Sequence, residues 1–138
     1  MRLSPAAELA IRGLLTLTEC CADGPVTLET ICRKRKLPKQ YLTKIFGTLG
    51  RAGLVRPVRG KKGGYKLGRP PEKITILDVI QAVEGPIVLN YCQYTPSQCD
   101  QSGCPLNAVW AELQQIMRQK LGAMTLAACK SPGAPKSA

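Results

Sequence analysis

From residue 4 to residue 49 the apolar positions recur every three or four residues, the spacing of helices that bury one face. Ser4 and Pro5 supply an N-cap and a first helical residue, and Leu9, Ile11, Leu14, Leu15 and Leu17 carry a first helix to Cys20 and Cys21. ADGPV, residues 22–26, has turn composition. Thr27 then caps a short second helix through Leu28, Ile31 and Cys32, which ends in the basic run RKRK, residues 33–36. Pro38 opens a third helix with Tyr41, Leu42, Ile45, Phe46 and Leu49 on its buried face and Gly53 at its stop. Two helices joined by so short a turn predict a helix-turn-helix.

The period then changes. Leu54, Val55 and Val58 predict one strand and Tyr65 and Leu67 a second, while RGKKGG between them is too basic and glycine-rich to pack inside anything. A β-hairpin directly after a helix-turn-helix is the winged-helix arrangement. After a linker, GRPPEK, Thr75 and Asp78 form a capping-box start to a fourth helix, whose stripe is Ile76, Val79, Ile80 and Val83 and whose stop is Gly85-Pro86. Pro105 opens the longest helix, with Leu106, Val109, Trp110, Leu113, Ile116, Met117, Leu121 and Met124 recurring at threes and fours to about residue 127. Roughly 23 residues at ~1.5 Å each make a rod of about 34 Å, too long for a small head to cover. Pairing with the same helix of a second chain would cover it, which predicts a homodimer.

The expected class is therefore mainly α with a small β-hairpin: a winged helix-turn-helix head at 1–73, a cysteine loop and dimerisation helices at 74–128, and a tail at 129–138 whose composition predicts disorder. Charge sharpens this division. Residues 1–73 carry 16 Lys and Arg against 5 Asp and Glu, and residues 74–138 carry 4 of each, so the whole net charge of +11 lies in the first part. A basic module attached to a neutral one has the electrostatic footprint of a nucleic-acid binder, the competing explanation being a basic surface kept for solubility.

The outward stripe of the third helix tips that balance. Lys39, Gln40, Thr43, Lys44, Gly47, Thr48 and Arg51 recur at threes and fours with no acid among them, which suits a helix in the major groove of double-stranded DNA. The candidate DNA-binding set is Lys39, Gln40, Tyr41, Thr43, Lys44 and Arg51 on that helix, with Arg59, Gly60, Lys61 and Lys62 on the hairpin tip.

No stretch approaches the ~20 apolar residues of a membrane span, and the expected compartment is the cytoplasm. In that reducing setting the seven cysteines point to metal binding, redox chemistry or core packing rather than disulfides. Cys20, Cys21 and Cys32 fall at or near buried helical positions and read as small core residues, and Cys129 as incidental. Cys92, Cys99 and Cys104 are different: they lie within thirteen positions of a chain with no histidine. The missing histidine, the lack of a CxxC pair and the lack of a recognisable carboxylate pair argue against an enzyme.

MRLSPAAELAIR, LPKQYLTKIFGTLGRAGLV, VRGKKGGYKL and ILDVIQAVEG, followed by a cysteine loop and a long helix, resemble the Rrf2 family of bacterial transcription regulators over about residues 1–128. The resemblance implies a homodimeric winged-helix repressor on a palindromic operator. It also implies an iron-sulfur cluster, 2Fe-2S or 4Fe-4S, whose state alters DNA affinity. The matching ligands are Cys92, Cys99 and Cys104, separated by six and four residues where better-known members have five and five. Three thiolates leave one iron position for a more labile donor, as suits a sensor. Some members fill it with a histidine three residues after the last cysteine, here Asn107; others use an aspartate near the N-terminus of the partner subunit, here matched by Glu8. Glu8 is thus the expected fourth ligand, against the alternative that it is a first-turn carboxylate favoured by the helix dipole. Zinc or reversible thiol oxidation at the same cysteines is the competing chemistry; zinc would want a fourth Cys or His, and no Arg or Lys lies in residues 91–108 to activate a thiol.

Overall fold

A computed structural model of the chain describes residues 1–130. Its helices are α1 (Pro5–Cys20), α2 (Leu28–Arg35), α3 (Lys39–Arg51), α4 (Ile76–Glu84) and α5 (Pro105–Ala123), with strands β1 (Val55–Val58) and β2 (Gly64–Leu67) between α3 and α4. The starts follow the capping chemistry. Ser4 Oγ accepts from the Ala7 N–H at 3.1 Å and Thr27 Oγ1 from the Thr30 N–H at 3.2 Å. Thr75 and Asp78 close a full capping box at 3.1 and 2.9 Å. Lys36, at φ 53°, turns the chain out of α2 and into the short connection to α3.

β1 and β2 pair antiparallel, with Val55 opposite Leu67, Arg56 opposite Lys66, Pro57 opposite Tyr65 and Val58 opposite Gly64. Tyr65 directs its N–H and C=O the other way, to Val26, at 2.8 and 2.9 Å. Pro57, which has no N–H to give, thus sits where no ladder bond is required. The single-residue pairing at Val26 ties the hairpin to the start of the helix-turn-helix. No period-2 run marks it in the sequence.

One core joins α1, α3 and α4. Leu14, Leu17, Ile31, Leu42, Phe46, Leu49, Val79 and Ile80 are all buried, and the Phe46 ring meets Tyr65 edge-on at 5.0 Å. This core runs past residue 73. Ile74 is fully buried, and so is Leu126, which returns after α5 and donates its N–H to the Ile74 carbonyl at 2.9 Å.

Two expectations are corrected. α5 stops at Ala123, spanning 19 residues or about 28 Å, because the chain leaves the helix at Met124 so that Met124 and Leu126 bond Ile76 and Ile74. Its apolar stripe is left uncovered by its own chain: Leu106, Val109, Leu113, Ile116 and Met117 are exposed, and the one buried residue of α5 is Gln114. Gln114 Oε1 accepts the Leu89 N–H at 3.0 Å and Arg118 Nη2 donates to the Ile87 carbonyl at 3.0 Å, so polar groups hold α5 to its own chain. Tyr41 is the second. It is exposed rather than buried, because Leu42, Ile45, Phe46 and Leu49 already complete the inner face of α3. Of the tail, Cys129 is half-buried against the core, and residues 131–138 lie outside the described residues.

Candidate nucleic-acid interface and cysteine loop

Packing of Leu42, Ile45, Phe46 and Leu49 inward turns the opposite stripe of α3 to solvent. Lys39, Gln40, Tyr41, Thr43, Lys44 and Arg51 are exposed, and Gly47 and Thr48 are half-exposed. Thr43 spends its hydroxyl proton on the Lys39 carbonyl at 2.9 Å, leaving its oxygen as an acceptor and its methyl free for contact. Gln40, Tyr41 and Lys44 make no side-chain hydrogen bond among the described residues.

Lys39 is not free. Its ammonium pairs with Glu29 of α2, which raises the Lys39 pKa and lowers that of Glu29, chiefly through their hydrogen bond. Sequence reasoning missed this pair, since ten residues and a turn separate the partners. Replacing Glu29 by Gln is expected to strengthen DNA binding about two- to fivefold, because a competing carboxylate leaves and a cation is released. With the Glu29 pKa lowered by its hydrogen bond to Lys39, the gain over wild type should persist as pH falls into the ordinary carboxylate range, and disappear only once the wild-type carboxyl is itself protonated. Titrations of a labelled duplex across pH check both the sign and the plateau.

The basic run at 33–36 is partly committed to the fold. Arg35 donates to Thr16 Oγ1 and to Glu19, each at 2.9 Å, and Lys34 Nζ lies 3.1 Å from Cys20 Sγ. The hairpin tip carries Arg59, Lys61 and Lys62 exposed, with Gly60 at φ 117° in open space. Gly64 serves the fold instead: a Cβ there would stand 2.6 Å from the Val26 carbonyl oxygen. The close backbone approach that this glycine permits is to Val26.

The cysteine loop leaves α4 at Gly85, makes a single 3₁₀ turn at Tyr91–Gln93 and enters α5 at Pro105. Cys92, Cys99 and Cys104 are free and half-buried. Gln93 Nε2 lies 3.4 Å from Cys92 Sγ and donates to Asn107 Oδ1 at 2.5 Å, so the loop is tied to the first turn of α5 through the amide that replaces the histidine of some relatives. Cys104 is the N-cap residue of α5, whose first turn holds no acid. Among the described residues no three His, Cys, Asp or Glu side chains gather closely enough to hold a metal ion. The three thiols therefore stand apart in one chain. Glu8 lies exposed on α1 and pairs with Arg12. Burial pushes the Cys32 thiol up, with Glu29 adding to the effect, which fits a packing role.

The chain matches, over residues 3–130, the Rrf2 family, described as iron-dependent transcriptional regulators. It belongs to that family. Relatives include the HTH-type transcriptional regulator IscR of Xenorhabdus nematophila, 32% identical over 91% of this chain and 77% of that one. CymR of Bacillus subtilis, described as its global cysteine regulator, superposes with a TM-score of 0.84 at 26% identity, covering 97% of this chain and 99% of that one. IscR of T. potens superposes with a TM-score of 0.78 at 27% identity, over 93% and 85%.

As an Rrf2 protein the chain is a winged-helix transcription regulator and not an enzyme, and no described helix is long and apolar enough to cross a membrane. Its loop fits an iron-sulfur cluster in the chemistry of its donors. The loop offers three free thiols and an amide N–H directed at the Cys92 sulfur, with Cys104 placed at the N-cap of α5. Asn107 brings no comparable donor, its side-chain oxygen being engaged by Gln93.

Proposed function

We propose that this Rrf2 protein is a homodimeric cytoplasmic repressor that reads a palindromic operator with α3 and the wing. Its DNA affinity responds to an iron-sulfur cluster held by Cys92, Cys99 and Cys104, with Glu8 of the partner subunit as the fourth ligand. The observation that carries the reading is the acid-free, solvent-facing stripe of α3 beside a cationic wing tip, in a chain that also presents three free thiols on one loop. Gln40, Thr43 and Lys44 would reach base edges, and Arg59, Lys61 and Lys62 would hold phosphates or the minor groove.

When bound, the cluster would supply a redox- and ligand-sensitive centre. The chain's own contribution is to restrain the loop. Gln93 fixes Cys92 against α5, and a carboxylate reaching across from α1 would couple the loop to the reading head. Anaerobic purification with a visible spectrum, iron and sulfide on one sample, and operator binding before and after chelation, tests this. Equal iron and sulfide with a change in affinity supports it. A protein that stays colourless after reconstitution but changes affinity on thiol oxidation moves the sensing to the thiols, a second reading supported by the likeness to CymR.

Replacing Gln40 and Lys44 together by Ala is expected to collapse the preference for operator over random duplex by tenfold or more, since each base contact is worth about 1–3 kcal/mol. Binding to random DNA should fall much less. Competition assays with both duplexes decide whether this face is the reader.

A further inference from the structure

The hairpin register sets Arg56 directly opposite Lys66. Side chains so placed lie about 5 Å apart at Cβ, and like charges there repel. Both point away from the core: Val55 and Tyr65, one residue along each strand, are turned inward, Val55 buried and Tyr65 against the Phe46 ring. Arg56 is exposed and Lys66 half-buried.

Among the described residues no acid pairs with either of them. The ion pairs among the described residues are Glu8 with Arg12, Glu19 with Arg35 and Glu29 with Lys39, and none of them involves Arg56 or Lys66. From residue 30 to residue 71 the sequence contains no Asp or Glu at all, and the wing continues the same charge through Arg59, Lys61, Lys62 and Arg69. Two facing cations with no internal counter-charge form a site for an external anion.

We propose that Arg56 and Lys66 together hold a backbone phosphate of bound DNA, a contact separate from the α3 stripe and from the wing tip. The proposal rests on the reading that the wing lies against DNA. A guanidinium grips two phosphate oxygens at once and an ammonium adds a point charge, so one phosphate satisfies both residues and removes their repulsion. The pair therefore works against the free protein and for the complex.

That opposition of signs defines the test. Full-length wild type, Arg56→Gln/Lys66→Gln and, for comparison, Lys61→Gln/Lys62→Gln are titrated with operator and random duplexes over a range of salt concentrations, and the thermal midpoint of each free protein is recorded. Each phosphate contact contributes about 0.9 to the slope of log K against log salt. For Arg56→Gln/Lys66→Gln the slope should fall by about one, with equal loss on both duplexes and a free-protein midpoint unchanged or raised. An unchanged slope, a loss confined to the operator, or a lowered midpoint overturns the proposal. If the tip variant lowers the slope and the Arg56/Lys66 variant does not, the wing reading stands and this site falls. If neither changes the slope, the wing reading itself falls.

Discussion

Replacing Leu113 and Ile116 together by Glu is expected to yield a monomer that binds the operator on the order of a thousandfold more weakly. The two side chains are 42% and 43% exposed, in line with Leu106 and Val109 along one face of α5. With Met117 these make five exposed large apolar residues, an unusual surface for a helix that also buries a glutamine. The inversion has a physical reading: Gln114 and Arg118 anchor α5 to residues 87–89 by hydrogen bonds, which leaves its apolar stripe available to a second copy. In a two-fold pairing each stripe residue is buried twice, and each burial is worth about 1 kcal/mol or more. Two introduced carboxylates would appear four times across that interface. Linking two heads makes the second half-site encounter intramolecular and raises avidity by about 10² to 10⁴, which is the factor lost on dissociation. Light scattering after size exclusion, with operator titrations on the same samples, checks both halves. A variant that stays dimeric removes α5 as the interface.

This stripe marks how far the sequence was legible. Periodicity identified which face of α5 is apolar and length argued that its own chain could not cover it, but neither showed that Gln114 and Arg118 would hold the helix to its own chain. The helix starts at Ser4, Thr27 and Thr75 were readable because capping is local chemistry. The pairing of Val26 with Tyr65 and the return of Leu126 to Ile74 were not, since each rests on one or two residues whose partners lie tens of positions away. The acid-free face of α3 was legible from spacing, whereas the capture of Lys39 by Glu29 depends on how α2 and α3 cross. For the cysteines, residue type pointed to the chemistry and left open the spatial question, and in one chain the thiols remain apart.

Phe46→Ala should be the most destabilising single substitution in the head, costing about 3–5 kcal/mol and lowering the thermal midpoint by roughly 10–20 °C. The ring is fully buried where three elements meet. It belongs to α3, its edge meets Tyr65 of the hairpin, and on its other side α1 approaches so closely that a Cβ on Gly13 would stand 2.9 Å from Cε2. Truncation leaves a cavity that none of the three can fill without moving, so the cost includes a cavity penalty as well as lost burial. The wing is aimed partly by this contact. Phe46→Leu, which keeps most of the volume but loses the edge-on pair, should therefore cost only about 1–2 kcal/mol in stability, yet still weaken DNA binding through a looser hairpin. Denaturant unfolding separates the two variants, and operator titration of Phe46→Leu well below its midpoint isolates the wing. Should that variant bind as tightly as wild type, the Val26 pairing alone positions the hairpin and Phe46 acts only as core.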